Sequence, residues 1–233
     1  MSAIKKFPDS NPKPITVLSI GHPQRAQRTI ERVIPSLLVS DPLSRASLAY
    51  WLIEVEDEDG TYRVSRAYND ALVECESPIV IFTTCDSIIQ PQLLWRAYGA
   101  FLETGRPVIT LRIDQVLEQS EVGNLNDWAI GDFMLMPREW AIEAGGWDER
   151  MVQWGFADYA FCLQLEKVGH PPVVLGPRVK DRTIHLWHPL RETAWYRAQN
   201  EINKRIYRDG PPWTQADFLA GRNTEMEVKS GRL

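Results

Sequence analysis

AGGWDERMVQWGFADYAFCLQLEKVGHPPVVLGPRVKDRTIHLWH, residues 144–188, is the stretch whose reading decides the fold. It opens on Gly145-Gly146, a pair that permits backbone angles and close approaches other residues resist. Trp147, Asp148 and Glu149 follow, then a second aromatic and glycine cluster, Trp154-Gly155-Phe156. Asp158 precedes an apolar run at helical spacing (Phe161, Leu165, Val168) that Gly169 closes, with two prolines just beyond. That pattern predicts a helix with an acidic first turn and a glycine stop. The β-branched residues 172–175 predict a short strand, and a turn leads on to Thr183-Ile184-His185-Leu186-Trp187-His188. A carboxylate at a helix start is thus followed, one strand later, by two histidines three apart.

Working outward toward the N-terminus, residues 15–20 form a β-rich run ending at Gly21, and residues 25–38 carry Ile30, Val33, Ile34 and Leu37 on one helical face. A strand, a glycine turn and a helix open many nucleotide-binding α/β units, whose ligands sit at the carboxyl ends of the strands. Residues 50–55 predict a second strand, followed by the acidic run of residues 56–60, and residues 65–74 a helix with Ala67, Ala71 and Leu72 inward. Residues 78–84 (PIVIFTT) are a continuous apolar strand, which implies burial on both faces, and Cys85-Asp86-Ser87 follow directly. Then come a helix at 91–103, a strand at 108–113, an irregular polar loop at 114–127, a strand at 128–136 and a proline-led helix at 137–144. Beyond His188, residues 189–207 read as a surface helix. Residues 1–14 read as a flexible lead-in, 15–210 as one domain, and 211–233 as a tail.

The order and spacing of the 144–188 stretch resemble the second half of the GT-A glycosyltransferases, most closely glycosyltransferase family 2 and the related galactosyltransferase C-terminal region. The resemblance covers about residues 15–188 and implies an α/β fold, GT-A (Rossmann-like), with a mostly parallel sheet and helices on both faces. Its Glu-Asp pair opening a helix reads Ala157-Asp158 here, so only the second carboxylate is present. The Asp-X-Asp motif reads Thr84-Cys85-Asp86, and Thr84 replaces the first aspartate. By this resemblance Asp86 and one of His185 and His188 hold a divalent ion, Mn²⁺ or Mg²⁺, against the diphosphate of a sugar nucleotide, a UDP-sugar by expectation. Mixed oxygen and imidazole ligands fit Mn²⁺ better. The donor side takes Glu56 or Asp57 for the nucleobase, with Asn69, Arg66, Thr84 and Cys85 beside it. The acceptor side takes Gly131, Trp147, Asp148 and Trp154. Asp158, kept ionised by the helix N-terminus, would accept a proton from an acceptor hydroxyl in an inverting displacement.

Bland readings stand beside each of these. A lone aspartate at a strand end also caps turns, most tryptophans are core residues, and the four carboxylates of residues 56–59 suit a solvated turn. Composition narrows the class further: 44% hydrophobic and 24% charged residues are those of a globular domain, and a net charge of -5 argues against a general nucleic-acid binder. No apolar run is long enough to span a bilayer, and three cysteines without metal-like spacing suit the cytoplasm. Two other classes remain: a GT-A-shaped nucleotide-sugar or glycan binding protein without catalysis, and a nucleotidyltransferase. The latter lacks its basic glycine-rich loop, since GHPQRAQR follows the first strand.

Overall fold

A computed structural model of the chain describes residues 3–7, 13–38, 47–55, 61–115, 123–126, 131–153, 155–176, 178–186 and 193–220. Glu56, Asp57, Trp154 and His188, four of the candidate site residues, lie outside them.

The strands are β1 (Ala3–Phe7), β2 (Ile15–Gly21), β3 (Leu48–Glu54), β4 (Ile79–Thr84), β5 (Ser87–Ile88), β6 (Val108–Ile109), β7 (Arg112–Gln115), β8 (Gly123–Asn126), β9 (Met134–Pro137), β10 (Val173–Val174) and β11 (Thr183–His185). The helices are α1 (Pro23–Arg28), running through a π-helical turn (Thr29–Val33) into α2 (Ile34–Leu38), then α3 (Val64–Glu74), α4 (Pro91–Thr104), α5 (Arg138–Glu143), α6 (Ala157–Lys167), α7 (Thr193–Asp209) and α8 (Gln215–Ala220). The wide turn has a cause: the Ile34 N–H bonds the Thr29 carbonyl just ahead of Pro35, which has no N–H to continue the α pattern.

The main sheet has seven strands in the order β1-β3-β2-β4-β9-β6-β10. Only β1 and β9 run against the other five. Every residue of β2 is buried, as its unbroken apolar run requires for a strand covered on both faces. Alternation sorts the core. Leu18, Ile20 and Phe82 face α3, α5 and α6, whereas Val17, Leu52 and Ile81 face α1, α2 and α4.

Several segments depart from the sequence reading: among the described residues the strand read at 128–136 begins only at Met134, and the tail read from residue 211 contributes α8, whose Phe218 is fully buried in the core. Residues 3–7 are not a loose lead-in: they pair antiparallel with β3, Lys5 forms an ion pair with Glu54, and the Lys6 ammonium lies 4.1 Å from the Trp51 ring. The strand read at 108–113 is divided. Its first part joins the main sheet as β6, and residues 112–115 leave it to pair with β8 and β11 in a second sheet ordered β5-β11-β7-β8. So part of the polar stretch at 114–127 is hairpin, recognisable only by its backbone partners.

Candidate functional site

The site begins where β2 and β4 end side by side. Gly21 has no side chain because Cys85 fills that space: a Cβ at Gly21 would sit 2.0 Å from the Cys85 sulfur. The Cys85 N–H donates to the Ile20 carbonyl (2.8 Å), the Thr29 hydroxyl donates to the Cys85 carbonyl (2.7 Å), and the Leu186 N–H donates to the Asp86 carbonyl (2.8 Å). These bonds fix the Asp86 backbone between the first helical segment and β11. Its carboxylate is 3% exposed.

Both carboxylate oxygens have partners. Arg25 Nη1 donates to Oδ2 at 2.6 Å, and His185 Nε2 lies 3.4 Å from Oδ1. The other ring nitrogen, Nδ1, lies 3.4 Å from Asp114 Oδ1, whose own partner is Arg112 Nε at 2.8 Å. Arg112 Nη1 also donates to the Asp132 carboxylate at 3.3 and 3.4 Å. Strand register explains the gathering, because His185 pairs with Asp114 and Thr183 with Arg112 in parallel β11 and β7, and alternate residues share a face.

Asp158 joins from the first turn of α6. Gly131 lies against it: a Cβ there would stand 3.0 Å from Asp158 Oδ2. The Tyr159 N–H donates to Asp158 Oδ1 at 2.9 Å. Burial raises the Asp158 pKa and the neighbouring Asp132 charge adds to it, against the Tyr159 N–H and Arg112. The helix terminus favours the ionised form and desolvation opposes it, with a net upward shift. For His185, burial alone would lower the imidazolium pKa, but the Asp86 and Asp132 carboxylates more than offset it, so the net shift is upward. Four carboxylates (Asp86, Asp114, Asp132, Asp158) meet two guanidiniums (Arg25, Arg112) around His185.

That excess of negative charge suits a cation. Asp86 Oδ1 and His185 Nε2 stand 3.4 Å apart, so a carboxylate oxygen and an imidazole nitrogen, both ligand types for Mn²⁺, are side by side. Among the described residues no group of three or more His, Cys, Asp or Glu completes a coordination shell. Magnesium and manganese sites commonly use few protein ligands and finish the shell with water and phosphate oxygens.

Other candidates sit elsewhere or do other work. Thr84 and Cys85 adjoin Asp86; the Thr84 hydroxyl bonds that of Ser87 (2.7 Å), and burial pushes the Cys85 thiol pKa up. Asn69 is fully buried and closes the 144–150 turn: its amide donates to the Trp147 carbonyl (2.8 Å) and Glu149 Oε1 (2.9 Å), and its oxygen accepts from the Trp147 N–H (2.8 Å). Trp147 is not at a surface where a sugar ring could stack. It is 3% exposed, between Tyr68 (4.7 Å) and Phe161 (4.8 Å). Asp148 is held by Arg150 through two bonds, at 2.8 and 2.6 Å. Arg66 is exposed on α3, 3.9 Å from Asp70. Sequence reasoning singled out none of Arg25, Arg112, Asp114 and Asp132. An arginine and an aspartate two apart on a short strand, and an aspartate directly after Gly131, were the available signals.

No family model matches the sequence, and no curated protein is significantly similar to it. Solved structures do match in shape. The catalytic domain of Drosophila beta1,4-galactosyltransferase 7, complexed with xylobiose, superposes with a TM-score of 0.61 at 14% identity over 82% of this chain and 79% of that one. The fold is that of the GT-A glycosyltransferases. A Pyrobaculum calidifontis mannosyltransferase, solved with GDP-Man and Mn²⁺, gives a TM-score of 0.53 at 13% identity over 94% of this chain and 72% of that one. Residues 1–349 of S. aureus TarS give 0.53 at 13% identity, over 74% of this chain and 60% of that one. A mutant of the Drosophila enzyme, also similar with a TM-score of 0.55, was solved with manganese, UDP-Gal and xylobiose. At such identities the likeness speaks for the GT-A fold alone.

Proposed function

We propose that the protein is a metal-dependent glycosyltransferase that moves a sugar from a nucleoside diphosphate donor, in our reading a UDP-sugar, to an acceptor hydroxyl. The observation that carries this is the convergence of Asp86, His185 and Asp158 on one negatively charged cluster at the ends of β4, β11 and α6. Asp86 and His185, with His188 beyond the described residues, would hold a Mn²⁺ or Mg²⁺ ion. Bound there, the ion supplies positive charge against the donor diphosphate and its developing leaving-group charge.

The chain's own residues do the rest. Asp158 takes the proton of the acceptor hydroxyl as that oxygen bonds to the anomeric carbon, and the bond from that carbon to the diphosphate breaks. A single displacement of this kind inverts the anomeric centre. Burial suits Asp158 to the task, since a carboxylate with a raised pKa is a stronger base than one in water. Arg25 and Arg112 hold the Asp86, Asp114 and Asp132 carboxylates in place while the cluster stays short of positive charge. Glu56 or Asp57, with Thr84 and Cys85, would line the donor side, and Gly131 and Trp154 the acceptor side. The three cysteines, all free and buried, agree with a cytoplasmic protein. No helix among the described residues is long and apolar enough to cross a membrane.

A second reading has its own observation. Arg25 already neutralises Asp86, and Thr84 and Ala157 stand where the resemblance expects carboxylates, as would suit a protein that binds nucleotide sugars without transfer. Thermal unfolding against a panel of nucleoside diphosphates and sugar nucleotides, with and without Mn²⁺, tests the donor site. The transferase reading expects a midpoint rise for one nucleotide that needs the metal and vanishes in Asp86→Ala, together with sugar release that Asp158→Asn abolishes. Nucleotide binding without any turnover selects the second reading, and silence across the panel removes both.

A further inference from the structure

On the reverse side of the second sheet the chain builds a cavity of opposite charge. Its only acid in residues 178–182, Asp181, is turned inward: it is 1% exposed and pairs with Arg96 of α4. Gly176 leaves room for it, since a Cβ there would lie 3.1 Å from Asp181 Oδ2. With that acid withdrawn, Arg178, Lys180 and Arg182 stand together with Val179, Gln90, Ile113 and Ile184 around a cavity of about 440 Å³. Among the described residues no carboxylate lines it, although the chain as a whole carries a net charge of -5.

The floor is apolar and regular. Ile113 of β7 and Ile184 of β11 are register partners, so alternation turns both away from the face that carries Arg112, Asp114 and His185. Val179, 61% exposed, extends the apolar surface at the rim. Arg182 is 4% exposed, and its Nη1 donates to the Arg112 carbonyl at 3.4 Å, which seats one guanidinium deep while Arg178 and Lys180 remain exposed. The volume lies in the range of small-molecule sites, and cations above an apolar floor are the arrangement an amphipathic anion requires. Two guanidiniums favour phosphate, whose several oxygens accept forked hydrogen bonds.

We propose that this cavity is a second binding site, for the phosphate of an amphipathic organophosphate. The phosphate lies against Arg178, Lys180 and Arg182, and the apolar part on Ile113, Val179 and Ile184. The site does not depend on glycosyl transfer, because it faces away from the Asp86 cluster. A soluble phosphate ester and a phospholipid headgroup share this chemistry, and two measurements separate them. The first is calorimetric titration with n-octyl phosphate, with inorganic phosphate and octanol as controls, in metal-free buffer at 0.15 M salt. The second is sedimentation with phosphatidylcholine vesicles lacking or containing phosphatidylglycerol.

The comparison protein is the double variant Arg178→Gln, Lys180→Gln, whose exposed positions leave the fold intact, as an unchanged thermal midpoint verifies. Octyl phosphate should bind more tightly than either control, and roughly tenfold or more weakly to the double variant. Co-sedimentation that needs phosphatidylglycerol and is lost in the double variant would name a lipid as the source. The site is overturned if neither probe binds, or if binding survives the double substitution. Loss of octyl phosphate binding in Arg25→Gln, with the thermal midpoint unchanged, would move the phosphate to the other face of the sheet, and also overturns it.

Discussion

The turn at residues 144–150 and the half-buried cluster around His185 are both polar, and they use polar groups in opposite ways. In the turn, Asn69 binds Trp147 through its backbone on both sides, and Arg150 grips Asp148 with two bonds. Charge and hydrogen bonding close on themselves there, and what results is shape. Around His185 four carboxylates meet two guanidiniums, and Asp86 faces both Arg25 and the imidazole. What results is an unbalanced field, and such a field calls for a ligand. Conspicuous residues in a sequence motif thus divide into those whose charges balance one another and those that leave a charge in excess.

The sharpest test of that division is Asp158→Asn. It should cut transfer by about 10²–10⁴-fold, the usual scale for a proton-transfer group, without loss of stability at pH 7. The sign follows from the raised pKa: the folded state holds the Asp158 proton more tightly than the unfolded state, so this group's contribution weakens as pH rises through its unfolded and then its folded pKa. Removing the charge therefore holds or raises the neutral-pH midpoint. In the wild type the acid limb of the rate profile should lie above the ordinary aspartate range. A variant that loses stability as well as rate would make Asp158 a structural residue like Asn69.

Trp147 tests the other region. Trp147→Ala should cost about 3–5 kcal/mol, because it empties a buried aromatic stack. Trp147→Phe should cost about 1–2 kcal/mol, since it keeps a ring against Tyr68 and Phe161 and the indole N–H has no hydrogen-bond partner among the described residues. Urea unfolding measures both. Equal, small losses would mean the stack is not what holds the turn. The smallest effect is expected at Arg66→Ala, an exposed i,i+4 pair whose loss should change stability by less than about 0.5 kcal/mol. The same variant should leave nucleotide-induced midpoint shifts unaltered, and a lost shift would return Arg66 to the donor side.

Much of the fold was legible because its elements announce themselves locally. The apolar runs at 15–20 and 79–84 became neighbouring central strands, and the Phe161, Leu165 spacing with its Gly169 stop became α6. The β7–β8 hairpin was not legible: RIDQ and GNLN carry one apolar residue each, and their strand character comes from pairing with each other and with β11. Asp86, His185 and Asp158 were visible through their positions at element ends. Arg25, Arg112, Asp114 and Asp132 were not: Arg25 meets Asp86 61 residues on, and the Arg112–Asp114 pair gives no local sign of the His185 ring it faces. The opposite error befell Asn69 and Trp147, whose motif was visible while its purpose, packing, depended on the buried rings around it.

Gly145 and Gly146 have a consequence for how the chain is made. A Cβ on Gly146 would press on Phe218 at 2.8 Å and one on Gly145 on the Thr214 backbone at 2.7 Å, while the Trp213 indole donates to the Gly145 carbonyl at 2.8 Å. Phe218 is fully buried and belongs to the same core as β2 and β4. Synthesis proceeds from the N-terminus at about 5–20 residues per second, so the first strands emerge well before the residue that seals their core. Until α8 leaves the ribosome, the place of Phe218 in that core, beside residues of α3, α5 and α6, stays unfilled. A ribosome that stalls before Phe218 therefore holds a nascent chain with nearly every described element in hand and one buried aromatic missing from its core.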